Sequence, residues 1–354
     1  MEADMIKRKW PMLVLLSSAG GAAIGIACTT TGPDAAPRTS GCISEACYDS
    51  SAPSGDSSTK PGSEGGSNDA GPTGFGNPLA GVSPLAATLV KGGFKFLEGP
   101  VWIGGRLLFG DIQSTPTVIL QLEADNSTTV FRTPGNGPNG NAVDPQERLV
   151  TCESRSTRSV VRSAATKNAA KTTIASQYNG NPFNSPNDVI VRADGNVYFT
   201  DPDYGADQDA ATPRQPKQSV FRINPGGTVS LVKDYDTEPN GIALSPDGNK
   251  LYVVDTTANV VTVWSVAADG TPSNDTQFAT VTGGDGMAVD KAGNVYVAGT
   301  DGIVVFDKAG AGLGTITVPE VPANCTFGGA DGKTLYITAR TGLYSIKLNV
   351  PGLP

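Results

Sequence analysis

From Leu85 to the carboxyl end, apolar residues fall in short runs broken by Gly, Pro, Asn and Asp, and the runs come in pairs. One pair reads Ile242-Ala243-Leu244-Ser245, then Pro246-Asp247-Gly248-Asn249, then Leu251-Tyr252-Val253-Val254. The same grammar returns with Ala193-Asp194-Gly195-Asn196 ahead of Val197-Tyr198-Phe199-Thr200-Asp201. It returns again with Lys291-Ala292-Gly293-Asn294 ahead of Val295-Tyr296-Val297, and with Ala330-Asp331-Gly332-Lys333 ahead of Leu335-Tyr336-Ile337. Asp-Gly between apolar runs signals a hairpin. Nearer the start, Leu107–Asp111 and Val118–Leu122 read as the middle strands of a first unit. Asp144-Pro145-Gln146-Glu147 separates Ala142-Val143 from Leu149–Glu153 in a second. No stretch carries sustained helical spacing, so the pattern predicts an all-β chain.

Just ahead of each first run stands a side chain bearing an oxygen. The series is Glu98, Asn139, Asn187, Asn240, Asp285 and Asn324, at intervals of about 40 to 50 residues, the period of a propeller blade. The pattern predicts a six-bladed β-propeller over residues 85–354. Leu343–Leu348 is expected to share a blade with the strand near Leu89, zipping the ring shut and protecting its edges. Six blades around one axis would aim the six polar residues at a common point.

Two carboxylates and several amide oxygens, with no thiolate or imidazole, make a donor set for a hard cation. Ca²⁺ suits it best, and Zn²⁺, Mn²⁺ and Mg²⁺ are the other candidates. Without a cation, Glu98 and Asp285 would repel and one would tend to keep its proton. Two plainer readings stand beside this one. Asn and Asp favour strand entrances through local turns, and a shared ion could simply staple the blades together. A bound cation would polarise a carbonyl oxygen, and Asp285 or Glu98 would then be the base. Such a base suits activated substrates, lactones or phosphotriesters rather than amides.

The chain has 354 residues, no histidine and a formal net charge of −8. The missing histidine excludes the Ser-His-Asp triad, the Cys-His pair and His-ligated metals. The negative balance argues against nucleic acid and against an anionic membrane surface. Residues 1–27 read as a signal peptide, with Lys7-Arg8-Lys9 before a short apolar run. Gly25-Ile26-Ala27-Cys28 resembles a lipoprotein box with Gly25 where Leu is usual, so Cys28 is the expected lipidation site, against ordinary cleavage and secretion. Residues 28–84 are rich in Ser, Gly, Pro, Thr and Asp and read as a disordered tether. Cys42 and Cys47 within it could pair in an oxidising compartment, whereas Cys152 and Cys325 read as buried thiols. These features predict an exported, lipid-anchored or secreted monomer whose only membrane contact is the anchor.

Glu98-Gly99-Pro100-Val101-Trp102, Ser185-Pro186-Asn187-Asp188, Phe199-Thr200-Asp201-Pro202, Pro239-Asn240-Gly241 and Asp285-Gly286-Met287 together resemble the gluconolactonase/regucalcin family. The resemblance runs from Leu85 nearly to the carboxyl end. It implies a six-bladed propeller with an axial divalent cation, often Ca²⁺, and hydrolysis of a sugar lactone such as glucono-1,5-lactone. It implies Glu98, Asn187, Asn240 and Asp285 as metal ligands and Asp285 as base, leaving Asn139 and Asn324 on the substrate side. Cys152-Glu153 is followed by Ser154-Arg155 where bacterial members commonly have His, and Asp201-Pro202-Asp203-Tyr204-Gly205 replaces their Asp-Pro-Pro-Tyr-Gly. Both departures bear on the substrate. Arg155 and Arg158 are then candidates to contact an acidic or phosphorylated sugar, or else solvated loop arginines. The rival readings are phosphotriester hydrolysis at the same site and a non-catalytic surface propeller that binds a ligand or partner.

Overall fold

The computed structural model describes residues 74–204 and 214–353. Residues 1–27, read as a signal peptide, Cys28, Cys42, Cys47 and most of the segment read as a tether lie outside the described residues. Those described hold no helix and form six four-stranded antiparallel sheets plus a two-stranded ribbon, Gln177–Tyr178 with Asn181–Pro182.

The blades follow chain order. Blade one is built from Leu97–Ile103, Arg106–Asp111, Val118–Leu122 and Thr128–Arg132. Blade two uses Pro138–Val143, Arg148–Glu153, Ser159–Ala164 and Lys171–Ala175, and blade three Val189–Val191, Val197–Asp201, Gln218–Ile223 and Val229–Tyr235. Blade four has Pro239–Leu244, Lys250–Asp255, Val260–Val266 and Pro272–Thr280. Blade five has Met287–Val289, Val295–Gly299, Gly302–Phe306 and Gly312–Ile316. Blade six takes Asn324–Gly328, Thr334–Ala339 and Gly342–Lys347 from the carboxyl end and Thr88–Gly92 from the start of the ring. Thr88 pairs with Ser345 and Leu89 with Tyr344, so the expected closure is present.

Burial explains why the second strands read as continuous apolar runs. Val197–Asp201 and Val295–Gly299 are buried along their whole length because each blade is covered on both faces by its neighbours. The hairpins that follow the inner strands are set by Asp and Gly. Gly195, Gly248, Gly293 and Gly332 adopt positive φ, and Asp194 accepts the Asn196 amide at 3.0 Å.

Aromatic residues fill the wedges between blades. Phe183 lies 5.0 Å from Phe199 and 5.3 Å from Phe221, and Tyr296 lies 5.0 Å from Phe327. Across the closure, Trp102 of blade one stacks on Tyr336 of blade six with centroids 5.9 Å apart and planes 7° from parallel. Cys152 and Cys325 are free and buried, as their positions on core strands implied. Ahead of Leu85, Leu79 is buried against blades five and six, and Asn349 donates to the Ala80 carbonyl. The end of the segment read as tether therefore lies on the propeller, because Leu79 has an apolar surface to cover there.

Leu343, fully buried in the strand that joins both ends of the ring, packs against Leu97, Leu107 and Phe109 of blade one. Leu343→Ala is expected to cost about 2–5 kcal/mol in denaturant unfolding. A loss near that of an exposed position would show that closure does not limit stability.

Candidate functional site

Three of the axial residues enter the site through one backbone device, and Asn324 of blade six lies in an unbroken ladder opposite Thr338. The pairing of inner and second strands slips between Glu98 and Val101, between Pro138 and Asn141, and between Pro239 and Ile242. Those slips are bulges, which re-aim a side chain out of the pleat. In blades three and five the strand proper starts two residues later, but the register is kept. Asn187 donates its amide to Thr200 O and Asp285 donates to Ala298 O, both at 2.8 Å. Each of these five residues therefore sits at the entrance of its inner strand.

A glycine follows four of the six, and two of these show why. A Cβ on Gly241 would lie 2.2 Å from the Asp285 carbonyl oxygen, and one on Gly286 would lie 2.0 Å from Cγ of Asn324. The inner strands converge so closely that each next blade occupies the space of that side chain. The exceptions are Asp188 after Asn187 and Cys325 after Asn324.

Asp188 is the site residue that the sequence reading passed over. It is buried and accepts the amides of Val189 at 3.0 Å and Ile242 at 3.2 Å, tying blade three to blade four. Asn324 also hydrogen-bonds to it, while Oδ1 of Asn324 accepts the Cys325 amide at 2.8 Å. Asn324, expected on the substrate side, is thus engaged with its own strand and with Asp188. Both line an axial cavity of about 110 Å³ that runs along the inner strands to Leu353. The interruption of the glycine pattern was the available sequence signal.

The acids ending the second strands hold the approach to the site. Asp111 accepts the Lys95 and Phe96 amides, each at 3.1 Å, just before Glu98. Asp201 accepts the Asn184 and Ser185 amides at 2.8 Å, just before Asn187. In blade four, Asn240 donates through Nδ2 to Thr256 Oγ1 at 3.0 Å and lies 3.5 Å from the Tyr204 hydroxyl; it also donates to Asp285. Thr256 in turn donates to Gly284 O at 2.6 Å.

Electrostatics concentrates on the two axial carboxylates. Burial raises Glu98 well above the usual range, and the charges of Asp285 and Asp188 raise it further. Asp285, half-buried, is pushed up to about 7 by burial and then by Asp188. Burial also lifts Asp188 to about 7. Arg340 is the cation that offsets both Glu98 and Asp285. Arg155 is the candidate substrate contact of blade two. It is exposed on the Ser154–Arg158 turn of blade two, with its side-chain carbons over Gly137.

Among the described residues no three His, Cys, Asp or Glu side chains group as metal ligands. An axial set of two carboxylates plus amides lies outside that pattern. Whether it suits a cation is decided by its donors, all of them hard oxygens. Asn139 and Asn187 are buried without a side-chain hydrogen bond to another described residue. Glu98, raised by burial and by the charges of Asp285 and Asp188, and Asp285, raised by burial and by Asp188, are stabilised by a divalent ion. The residues fit such an ion.

Six blades around a polar, carboxylate-bearing axis define a six-bladed propeller with an acidic axial site, and comparison with known proteins gives its family. Residues 96–341 match the SMP-30/Gluconolactonase/LRE-like region, and the chain belongs to that family. It is 30% identical over 295 residues to a gluconolactonase of Zymomonas mobilis, covering 75% of this chain and 82% of that protein. The structure of a Xanthomonas campestris gluconolactonase is 33% identical, with a TM-score of 0.66 over 75% of this chain and 89% of that one. The calcium-binding regucalcin of Agrobacterium tumefaciens, 21% identical, shares the fold, with a TM-score of 0.63 over 76% of this chain and 95% of that one.

Two predictions follow from the packing and the charges. Gly241→Ala is expected to destabilise the protein by about 1–3 kcal/mol, read by urea unfolding. Asp188, Asp201 and Asp285, each raised to about 7, hold protons in the folded state that an unfolded aspartate releases near pH 4. Stability from these groups is full below that value and is lost as pH rises through 7. The lowered carboxylates, such as Asp247 and Glu320, finish titrating at lower pH and do not oppose this. In EDTA the protein should melt several degrees higher at pH 5 than at pH 8. Equal melting temperatures in EDTA would show that the carboxylates are already ionised.

Proposed function

We propose that this chain hydrolyses a sugar lactone at its axial site, with Asp285 as the base. The observation that carries the reading is the meeting of Glu98 and Asp285 at the convergence of six inner strands, in a chain of the gluconolactonase family. Family membership makes the chain a hydrolase acting on esters, of the lactonase kind.

Glu98, Asn187, Asn240 and Asp285 would hold the divalent cation, Ca²⁺ in first place. When bound, such an ion supplies Lewis-acid polarisation of a carbonyl oxygen and neutralises the axial carboxylates. The protein's own groups do the rest. Asp285 takes a proton from water as the water oxygen bonds to the lactone carbonyl carbon. The ring C–O bond then breaks, and the departing oxygen receives that proton from Asp285, leaving a hydroxy acid. Burial, and then the charge of Asp188, raise Asp285 above an ordinary aspartate, the direction that favours a base. Thr256 and Tyr204 hold the Asn240 amide in place. Asn139, with its side-chain amide unspent, is the group left to orient a sugar hydroxyl. The amino-terminal sequence supports an exported protein, lipid-anchored through Cys28, whose propeller acts outside the cytoplasm.

The test is hydrolysis of glucono-1,5-lactone, followed by acid release, in EDTA and with added Ca²⁺, Zn²⁺, Mn²⁺ or Mg²⁺. Turnover should require the ion and fall by about 10²–10⁴ in Asp285→Asn, with the melting curve retained. A protein that binds Ca²⁺ yet turns over no lactone would make the ion structural and the propeller a binding module.

A further inference from the structure

The rim position just after the second strand is neutral in five blades: Ile112, Ser154, Pro202, Thr256 and Thr300. In blade six it is Arg340. The backbone ties this residue to the site, since Arg340 O accepts the Leu97 amide at 2.8 Å, one residue before Glu98. The guanidinium carbon lies 5.0 Å from the centre of the Phe96 ring, so the aromatic face orients the cation. Arg340 has a φ of +48°, a region that few side chains other than Gly, Asn and Asp occupy.

Its charge is not spent locally. Blades one to four end their second strand in an acid, Asp111, Glu153, Asp201 or Asp255, but blade six ends in Ala339. Arg340 is exposed and forms no ion pair among the described residues, although Glu98, Asp285 and Glu320 all feel its field. Ring stacking engages the flat face of a guanidinium and leaves its N–H edge free for a carboxylate.

We infer that Arg340 is a specificity-determining residue that selects lactones carrying a carboxylate away from the reacting carbonyl. The inference rests on the lactonase reading of the axial site and narrows its substrate class. Three carboxyl groups, those of Glu98, Asp188 and Asp285, crowd the site of a chain whose net charge is −8. An anionic substrate meets repulsion there unless a rim cation offsets it. Arg340 supplies that offset beside Glu98, and its fork suits a planar anion.

A matched pair of ligands reads the arginine directly. Glucaro-1,4-lactone and glucono-1,4-lactone share a ring and differ in a carboxylate against a hydroxymethyl group. Their binding to the full chain is measured by calorimetry in EDTA, and their kcat/KM with Ca²⁺. The wild type should favour the glucaro-lactone by about tenfold or more. Arg340→Ser should erase that preference, Arg340→Lys should keep part of it, and added salt should reduce it. Equal affinity for the two ligands, a preference that survives Arg340→Ser, or no binding of either overturns the assignment. A preference that depends on Arg340, with no turnover of any lactone, would sink the lactonase reading and leave Arg340 as an anion-recognition residue.

Discussion

Crowding at the axis is the constraint on which the rest of the structure depends. Six inner strands approach so closely that the residue after each axial side chain is pressed against the next blade. Glycine is the answer in four places, and in three of them a bulge turns the preceding Glu or Asn toward the centre. Packing and chemistry are thus set by one geometric fact. The side chains that gather at the centre do so because the backbone there has no room for others.

That gathering has an electrostatic cost, and the fold meets it in layers. Asp188 sits where a glycine would be expected and bonds to the backbone of the next blade, so a charge-bearing group is fixed beneath Glu98 and Asp285. Its effect is to raise both of them. Above them, Arg340 acts in the opposite sense. A divalent ion would complete the balance. Buried carboxylates without a counter-charge are held neutral, which ties stability in the absence of metal to pH. The outer blades contribute by rigidity, with the wedge aromatics and the shared blade six keeping the ring closed around this strained centre.

Much of this was legible along the chain because it is periodic. The hairpin grammar of Asp194-Gly195, Asp247-Gly248 and Asp331-Gly332 marks three blades. The spacing from Glu98 to Asn324 marks all six, and Leu343–Leu348 reads as the strand that pairs near Leu89. The axial residues were readable for the same reason, since each precedes an apolar run. Asp188 was less visible because its role appears only as a break in the glycine pattern. Asn324 was readable as axial but not in its hydrogen bonding, which depends on Asp188 from another blade.

The sequence by itself determined the strand order, the number of blades, the closure and the set of polar residues that meet at the centre. These follow from local turn chemistry and from the alternation of apolar and polar runs, which are properties of neighbours along the chain. Only the tertiary structure decided which of those residues face one another, that Asp188 acts on the pair of carboxylates, and that Arg340 brings positive charge to them. Glu98, Asp188, Asp285 and Arg340 come from four different blades. Their interaction depends on distance through a buried, low-dielectric space, and no local pattern of residues encodes that distance.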